Sequence, residues 1–205
     1  MAQEIGVAAA LAASYLIGSI PFGLLLPRMA GLGDIRQIGS GNIGATNVLR
    51  TGNKWVALAT LLCDAGKGAV AVLAVRAALP DQPLLPAGAA LAAVLGHMFP
   101  VWLKFKGGKS VATALGGLAA LAWPVALGAG LTWLAVAALF RYSSLAGLAA
   151  MAVAPFLAWI LQDGQNAVVV GMMAILVWAR HHGNIRRLLD GEEPRIGRSK
   201  SAPSA

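Results

Sequence analysis

A succession of long apolar runs constrains this chain more than any other feature. Seven candidate membrane crossings lie at residues 5–26, 55–79, 86–103, 111–123, 124–140, 145–161 and 166–179. A helix needs about 20 apolar residues to cross a hydrocarbon core of roughly 30 Å. Several runs are shorter than this, and the fourth has thirteen residues before Pro124, a helix breaker. Its polar lead-in, Gly107-Gly108-Lys109-Ser110, is therefore expected partly within the membrane thickness. The first run lacks the basic flank of a secretory signal, its one flanking charge being Glu4, and reads as retained. Only 12% of the residues are charged, against about 25% in a soluble domain. That is too little charge to wet a globule of 205 residues. The expectation is an all-α polytopic membrane protein with seven transmembrane helices. Residues 1–189 read as one transmembrane domain, and residues 190–205 as a polar, mobile tail with two prolines.

The net charge of +8 would point to nucleic acid in a soluble protein. Here its placement reads otherwise, and no nucleic-acid partner is expected. With seven spans, residues 28–54, 104–109, Arg141 and the chain after residue 179 share one side, which holds 14 of the 16 Lys and Arg. The other two are Lys67, inside the second run, and Arg76, near its far end. The opposite side carries Glu4, Asp81 and Asp163. The positive-inside rule then puts the amino terminus outside and the carboxyl terminus in the cytoplasm. The single cysteine, Cys63, lies in an apolar run, which excludes an internal disulfide and most metal clusters.

The unusual chemistry is all on the inner side. In Gly39-Ser40-Gly41-Asn42-Ile43-Gly44-Ala45-Thr46-Asn47-Val48-Leu49-Arg50, three glycines expose backbone amides. Ser40, Asn42, Thr46 and Asn47 add neutral donors, and Arg50 adds a planar fork suited to phosphate. A flexible loop is the plain alternative, but such loops seldom gather amide side chains ending at an arginine. A second segment runs through Gly96-His97 and on to Lys104-Phe105-Lys106-Gly107-Gly108-Lys109-Ser110. It is not a nucleotide P-loop, since Leu103 stands where the first glycine belongs and no buried strand precedes it. A glycine turn entering a helix N-terminus beside a lysine still suits an anion. Lys109 is at that turn, whereas Lys104 reads as an interfacial snorkelling residue. Ser143 reads as a helix cap. His181 and Asn184 share a face if the last helix extends that far. Asp64 and Lys67, three apart within a span, are either a functional ion pair or a structural brace.

Anion donors at a membrane surface suggest phosphorylated substrates and a lipid. Acyltransferases with an Asp five residues after a His are excluded, because those positions hold Trp102, Arg186 and Arg187. Alcohol phosphatidyltransferases with clustered aspartates are excluded by the isolation of Asp64. No paired carboxylates or His/Cys cluster offers a metal site, and no Gly-x-Ser-x-Gly elbow occurs. Any chemistry here is expected to work by positioning anions, with no metal, cofactor or protein nucleophile. The reading from another class is a transporter or channel for a phosphorylated metabolite, with the basic glycine-rich elements as an anion filter. Against it, the polar groups gather at one face, with no outer-side polar path.

Tyr15-Leu16-Ile17-Gly18-Ser19-Ile20-Pro21, the segment from Gly39 to Arg50, Asp64 to Gly68, Gly96-His97, Lys106 to Thr113, Arg141 to Ser144 and Arg180 to Asn184 together resemble the PlsY family. These are the bacterial acyl-phosphate:glycerol-3-phosphate acyltransferases, and the pieces run in the family's order. The resemblance implies an inner-membrane enzyme with its site at the cytoplasmic face. It implies transfer of a fatty acyl group from acyl phosphate to the 1-hydroxyl of glycerol 3-phosphate, giving lysophosphatidic acid and phosphate. Carried over by position, Ser40, Arg50, Lys109, Ser144, His181 and Asn184 are the catalytic set. Gly41, Asn42, Thr46, Asn47, His97, Gly107 and Gly108 are expected at the substrates, the last two as backbone donors to acyl phosphate. The resemblance also implies a substrate-assisted reaction without a metal or acyl-enzyme, and leaves room for transient docking of the soluble enzyme that makes acyl phosphate. Three positions depart from the family pattern. Ile43 replaces a usual proline, Ser110 a common glycine and Gly147 a frequent second serine.

Overall fold

The computed structural model describes residues 1–162 and 164–197, and every regular element in them is helical. α1 (Ala2–Gly18) and α2 (Phe22–Met29) lie in one apolar run and part where Pro21 has no backbone N–H to give. Side chains hold the break together. Ser19 Oγ donates to the Leu16 carbonyl and accepts from the Trp102 indole, both at 2.7 Å. A glycine-rich loop containing the short α3 (Ala45–Val48) leads to α4 (Lys54–Ala78). The Asn53 side chain caps α4 by accepting from the Val56 amide at 3.0 Å. Then follow α5 (Leu85–Met98), α6 (Val111–Leu121), α7 (Trp123–Phe140), α8 (Ser143–Leu161), α9 (Gly164–Arg180) and α10 (His182–Leu189).

Among the described residues, five stretches are long and apolar enough to cross a membrane: Gln3–Met29, Lys54–Ala78, Leu85–Leu103, Trp123–Phe140 and Ser143–Leu161. The other two expected crossings correspond to α6 and α9, apolar but only 11 and 17 residues long. At 1.5 Å per residue α6 reaches roughly 16 Å, about half of a hydrocarbon core. Backbone groups at such a depth must be satisfied by protein. Arg76, in the last turn of α4, does this at the far end of α6, donating to the Ala120 and Leu121 carbonyls at 2.6 and 2.9 Å.

Small residues let the helices approach one another, as expected where lipid removes the hydrophobic drive between them. A Cβ at Gly18 would meet the Ala93 backbone, and one at Gly96 the Tyr15 carbonyl, where α1 crosses α5. Gly68 and Gly116 make the same close contact between α4 and α6. Ala90, Ala114, Ala150, Val72 and Met151 fill the interior, whereas Leu62, Phe156, Trp159 and Ile175 turn outward, 62–70% exposed. Large apolar side chains outside and small ones inside describe a chain solvated by lipid.

Candidate active site

The beginnings of α3, α6, α8 and α10 meet at one end of the bundle, and most of the unusual polar residues gather there. In the first loop, the Asp34 carboxylate accepts from the Arg36 amide and the Arg28 guanidinium, both at 3.0 Å, and fixes the turn Ile35–Gln37. Asn47 is the hub of this loop. Its Nδ2 donates to the Ile35 and Ile38 carbonyls at 2.7 and 3.2 Å. Its Oδ1 accepts from the Ser40 amide at 3.2 Å and Arg50 Nη1 at 3.3 Å. Both ends of the buried amide are thus engaged within the loop, so Asn47, expected at a substrate, instead positions Ser40 and Arg50. Gly39 adopts φ 57°, and a Cβ there would land on the Arg50 and Asn47 side chains. Ser40, Gly41 and Thr46 are exposed, and Asn42 and Arg50 half-buried. Ser143 does not cap α8 with its side chain, as the sequence suggests. Its hydroxyl lies 2.9 Å from Thr46 Oγ1 and ties the loop to α8.

The glycine turn before α6 is built differently from the expectation. The Gly107 amide donates to the Met98 carbonyl and the Gly108 amide to the His97 carbonyl, both at 3.0 Å. Arg180 in turn donates to the Gly107 and Gly108 carbonyls at 3.0 and 3.4 Å, its guanidinium 5.4 Å from the Phe99 ring. These two amides are therefore committed to the end of α5 and are not donors to a substrate. The helix N-terminal donors left are those of the first turn of α6, which have no intrahelical carbonyl. Glycine is needed here for room: a Cβ at Gly107 would strike the His97 carbonyl and one at Gly108 the His97 ring. His97 is buried, its Nδ1 2.6 Å from Lys67 Nζ. Ser110 sits at φ 62°, the left-handed conformation that favours glycine, and its hydroxyl donates to the Val94 carbonyl at 2.9 Å. Lys109 is half-buried beside the turn and Lys104 is exposed. At Gly147, a Cβ would lie 3.0 Å from a Val111 methyl, so the added bulk of a serine would crowd the start of α6.

The last helix does not continue through His181, as the shared face with Asn184 assumed. α9 ends at Arg180, and His181 (φ −96°, ψ 5°) is the N-cap of α10. His181 and Asn184 are nevertheless both buried, at 3% and 5% exposure, and His182 is exposed. A carboxylate missed in the sequence holds Asn184. Glu193, 8% exposed, accepts from Ser144 Oγ at 2.7 Å and Asn184 Nδ2 at 2.6 Å with Oε1, and from Arg187 Nε at 2.8 Å with Oε2. Arg141 and Ile196 exchange backbone and side-chain bonds at 2.7 and 3.0 Å, and the Arg195 guanidinium lies 5.4 Å from the Tyr142 ring. Residues 190–197 are thus packed onto the site rather than forming a free tail. The rest of that stretch, 198–205, lies outside the described residues. The signal for Glu193 was charge balance, because a cluster of Arg50, Lys109, Arg180 and Arg187 calls for a counter-anion.

Burial lowers Lys109 to about 8, with Arg187, Arg50 and Arg180 pushing the same way and Glu193 opposing. Burial also lowers His181 to about 4, helped by Lys109 and Arg180. His181 is therefore neutral at pH 7. Its Nδ1 donates to the Val177 carbonyl at 2.7 Å, which leaves Nε2 as an acceptor. Burial lowers Arg50 as well, yet a guanidinium stays charged. Among the described residues, no three His, Cys, Asp or Glu side chains come together as metal ligands. An apolar cavity of about 370 Å³ lies between α8, α9 and α10, lined by Leu145, Leu148, Trp178, Ile185 and Leu189.

The chain matches the family described as glycerol-3-phosphate acyltransferase over residues 8–191. The glycerol-3-phosphate acyltransferase of Rhodospirillum rubrum is 59% identical over 196 residues, 93% of this chain and 91% of that protein. That of Paramagnetospirillum magneticum is 58% identical over 196 residues, 96% of each chain. The fold matches the crystal structure of PlsY, an integral membrane glycerol 3-phosphate acyltransferase, in its glycerol 3-phosphate form. The TM-score is 0.88 and the identity 37%, over 94% of this chain and 96% of that one. Its lysophosphatidic acid form matches at a TM-score of 0.86. With a matching family description over nearly its whole length, relatives close to 60% identical and a shared fold, this chain belongs to the PlsY family of glycerol-3-phosphate acyltransferases.

Proposed function

We propose that this protein transfers a fatty acyl group from acyl phosphate to the 1-hydroxyl of glycerol 3-phosphate. The hydroxyl oxygen bonds to the acyl carbon, the acyl–phosphate C–O bond breaks, and the hydroxyl proton leaves with phosphate. The products are lysophosphatidic acid and inorganic phosphate. The observation that carries the reading is a cationic cluster, Arg50, Lys109 and Arg187, beside a histidine held neutral with an accepting Nε2. Phosphate charge falls to Arg50 and Lys109, and to the first-turn amides of α6. His181 Nε2 accepts from a glycerol hydroxyl, and Asn184 and Ser144, held by Glu193, complete that side. Ser40 lies at the mouth of the site, beside Arg50.

A histidine with so low a proton affinity is a poor general base, which favours a reaction assisted by a substrate phosphate. Acyl phosphate is already an activated mixed anhydride, so orientation and charge stabilisation supply most of the catalysis. The cavity between α8 and α10 gives an acyl chain an apolar surface next to Ser144 and Asn184 in the chain.

The same reading places the protein in the bacterial inner membrane with seven crossings, α6 and α9 included, the amino terminus outside and the site facing the cytoplasm. There a soluble acyl-phosphate-forming enzyme could hand over its product. The deciding experiment follows phosphate release by purified protein given acyl phosphate and glycerol 3-phosphate, with and without EDTA. Turnover unchanged by EDTA is expected. Turnover with acyl coenzyme A alone, or a strict magnesium requirement, would overturn the reading.

A further inference from the structure

The ion pair within α4 is one corner of a larger buried network. Asp64, Lys67 and His97 are 2%, 4% and 5% exposed. Lys67 Nζ donates to Asp64 Oδ1 at 2.7 Å and to the Ile20 carbonyl at 3.1 Å, and lies 2.6 Å from His97 Nδ1. An ammonium has three N–H groups and no lone pair, so with Lys67 charged all three are matched and Nδ1 accepts, its 3.6 Å separation from Asp64 Oδ1 being too long for a hydrogen bond. The proton of the neutral His97 ring then belongs on Nε2. That edge of the ring faces the glycine turn, where a Cβ on Gly108 would land on Nε2, and the His97 carbonyl holds the Gly108 amide at 3.0 Å. The next residue in the chain is Lys109.

We propose that Lys67, anchored by Asp64, fixes the Nε2–H tautomer and orientation of His97, and that His97 thereby positions the Gly107–Gly108 turn and Lys109 for phosphate. Asp64, Lys67 and His97 are positioning residues in this scheme. Its catalytic consequence rests on the reaction proposed above, whereas the tautomer does not. The competing role is charge neutralisation alone, with Asp64 and Lys67 cancelling one another in the membrane. The double substitution Asp64→Asn/Lys67→Met separates the two, because it removes both charges and strands neither.

The test has two arms. In protein carrying ¹⁵N-labelled histidine, only three residues report, His97, His181 and His182. His97 is expected in the Nε2–H form and His181 in the opposite, Nδ1–H form, and the double variant is expected to lose the pure His97 signature. In kinetics, the double variant is compared with its parent at equal amounts of folded protein, because losing Lys67 also leaves the Ile20 carbonyl without that donor. The variant's kcat/KM should fall roughly tenfold or more for the substrate whose phosphate meets Lys109, with kcat little changed, because a misplaced grip weakens capture. An Nδ1–H form for His97 in the unsubstituted protein would overturn the proposal. So would double-variant kinetics matching the parent, or a loss of activity that only tracks a loss of folded protein. Should the unsubstituted protein not turn over acyl phosphate, the reaction reading falls by itself. The comparison then moves to the dissociation constant for glycerol 3-phosphate, where about tenfold weakening supports the network and no change removes it.

Discussion

Arg50 reaches the site with one nitrogen on Asn47 Oδ1 at 3.3 Å, so its guanidinium plane is set before a substrate arrives. A lysine in its place keeps the charge but loses the fork and that bond. A charge-assisted hydrogen bond is worth roughly 1.5–3 kcal/mol, so Arg50→Lys should cost about ten- to 150-fold in kcat/KM. Lys104→Ala, at an exposed position, should cost nothing measurable, and steady-state kinetics of the two variants check the pair. Lys109, lowered to about 8 by burial, is charged at neutral pH and loses its proton as pH rises through that value. The kcat/KM of the free enzyme is therefore expected to fall above about pH 8. Lys109→Arg, charged throughout, should abolish that alkaline limb in a pH profile whatever its effect on the plateau. His181 is buried and His182 exposed, so their alanine variants should diverge. His181→Ala should raise KM for glycerol 3-phosphate by about tenfold, the loss of one good hydrogen bond. His182→Ala should stay within about twofold, as for a surface change. Equal effects in a glycerol 3-phosphate titration would place the wrong histidine in the site.

Between helices, much of the design concerns the shortness of α6. At 11 residues α6 is too short to cross a hydrocarbon core, so its last carbonyls need protein donors, and Arg76 reaches two of them from α4. Arg76→Met keeps most of the apolar stem and removes both donors. Its expected cost is about 1–3 kcal/mol per stranded carbonyl, read as a lower melting temperature in detergent with KM for glycerol 3-phosphate unchanged. The near end of α6 is held by the turn onto α5 and by Arg180 from α9, so three helices fix one turn. Ser110 adopts left-handed backbone at that junction with its hydroxyl on the Val94 carbonyl, and the bond offsets a conformation that glycine would adopt freely. Pro124 marks the start of α7 as its position in the sequence suggests, whereas the break between α1 and α2 passes unseen in hydropathy because Ser19–Pro21 interrupts neither the length nor the apolarity of the run.

For the whole molecule, the distribution of basic residues makes a prediction that packing alone cannot. With 14 of 16 Lys and Arg assigned to one side, an impermeant maleimide applied to intact cells should label Glu4→Cys but not Glu192→Cys, both in a Cys63→Ser background. Labelling of both, or of the second alone, would reverse or break the seven-span topology. Apolar run lengths, charge asymmetry and the order of the polar motifs are properties of consecutive residues. They suffice for the membrane class, the helical fold and the family. The network inside the site is not local. Ser144 meets Glu193 across 49 residues, Arg180 meets Gly107 across 73, and Lys67 meets His97 across 30. None of these pairings is written in a spacing or a period. They exist because helices packed through glycine bring those side chains within bonding distance, where a buried charge or amide must find a partner. The sequence alone determined the solvent, the helices and the chemical character of the site. The tertiary structure decided that Glu193 holds Ser144, Asn184 and Arg187, that the Gly107 and Gly108 amides turn to the end of α5, and that His181 is buried while His182 is not.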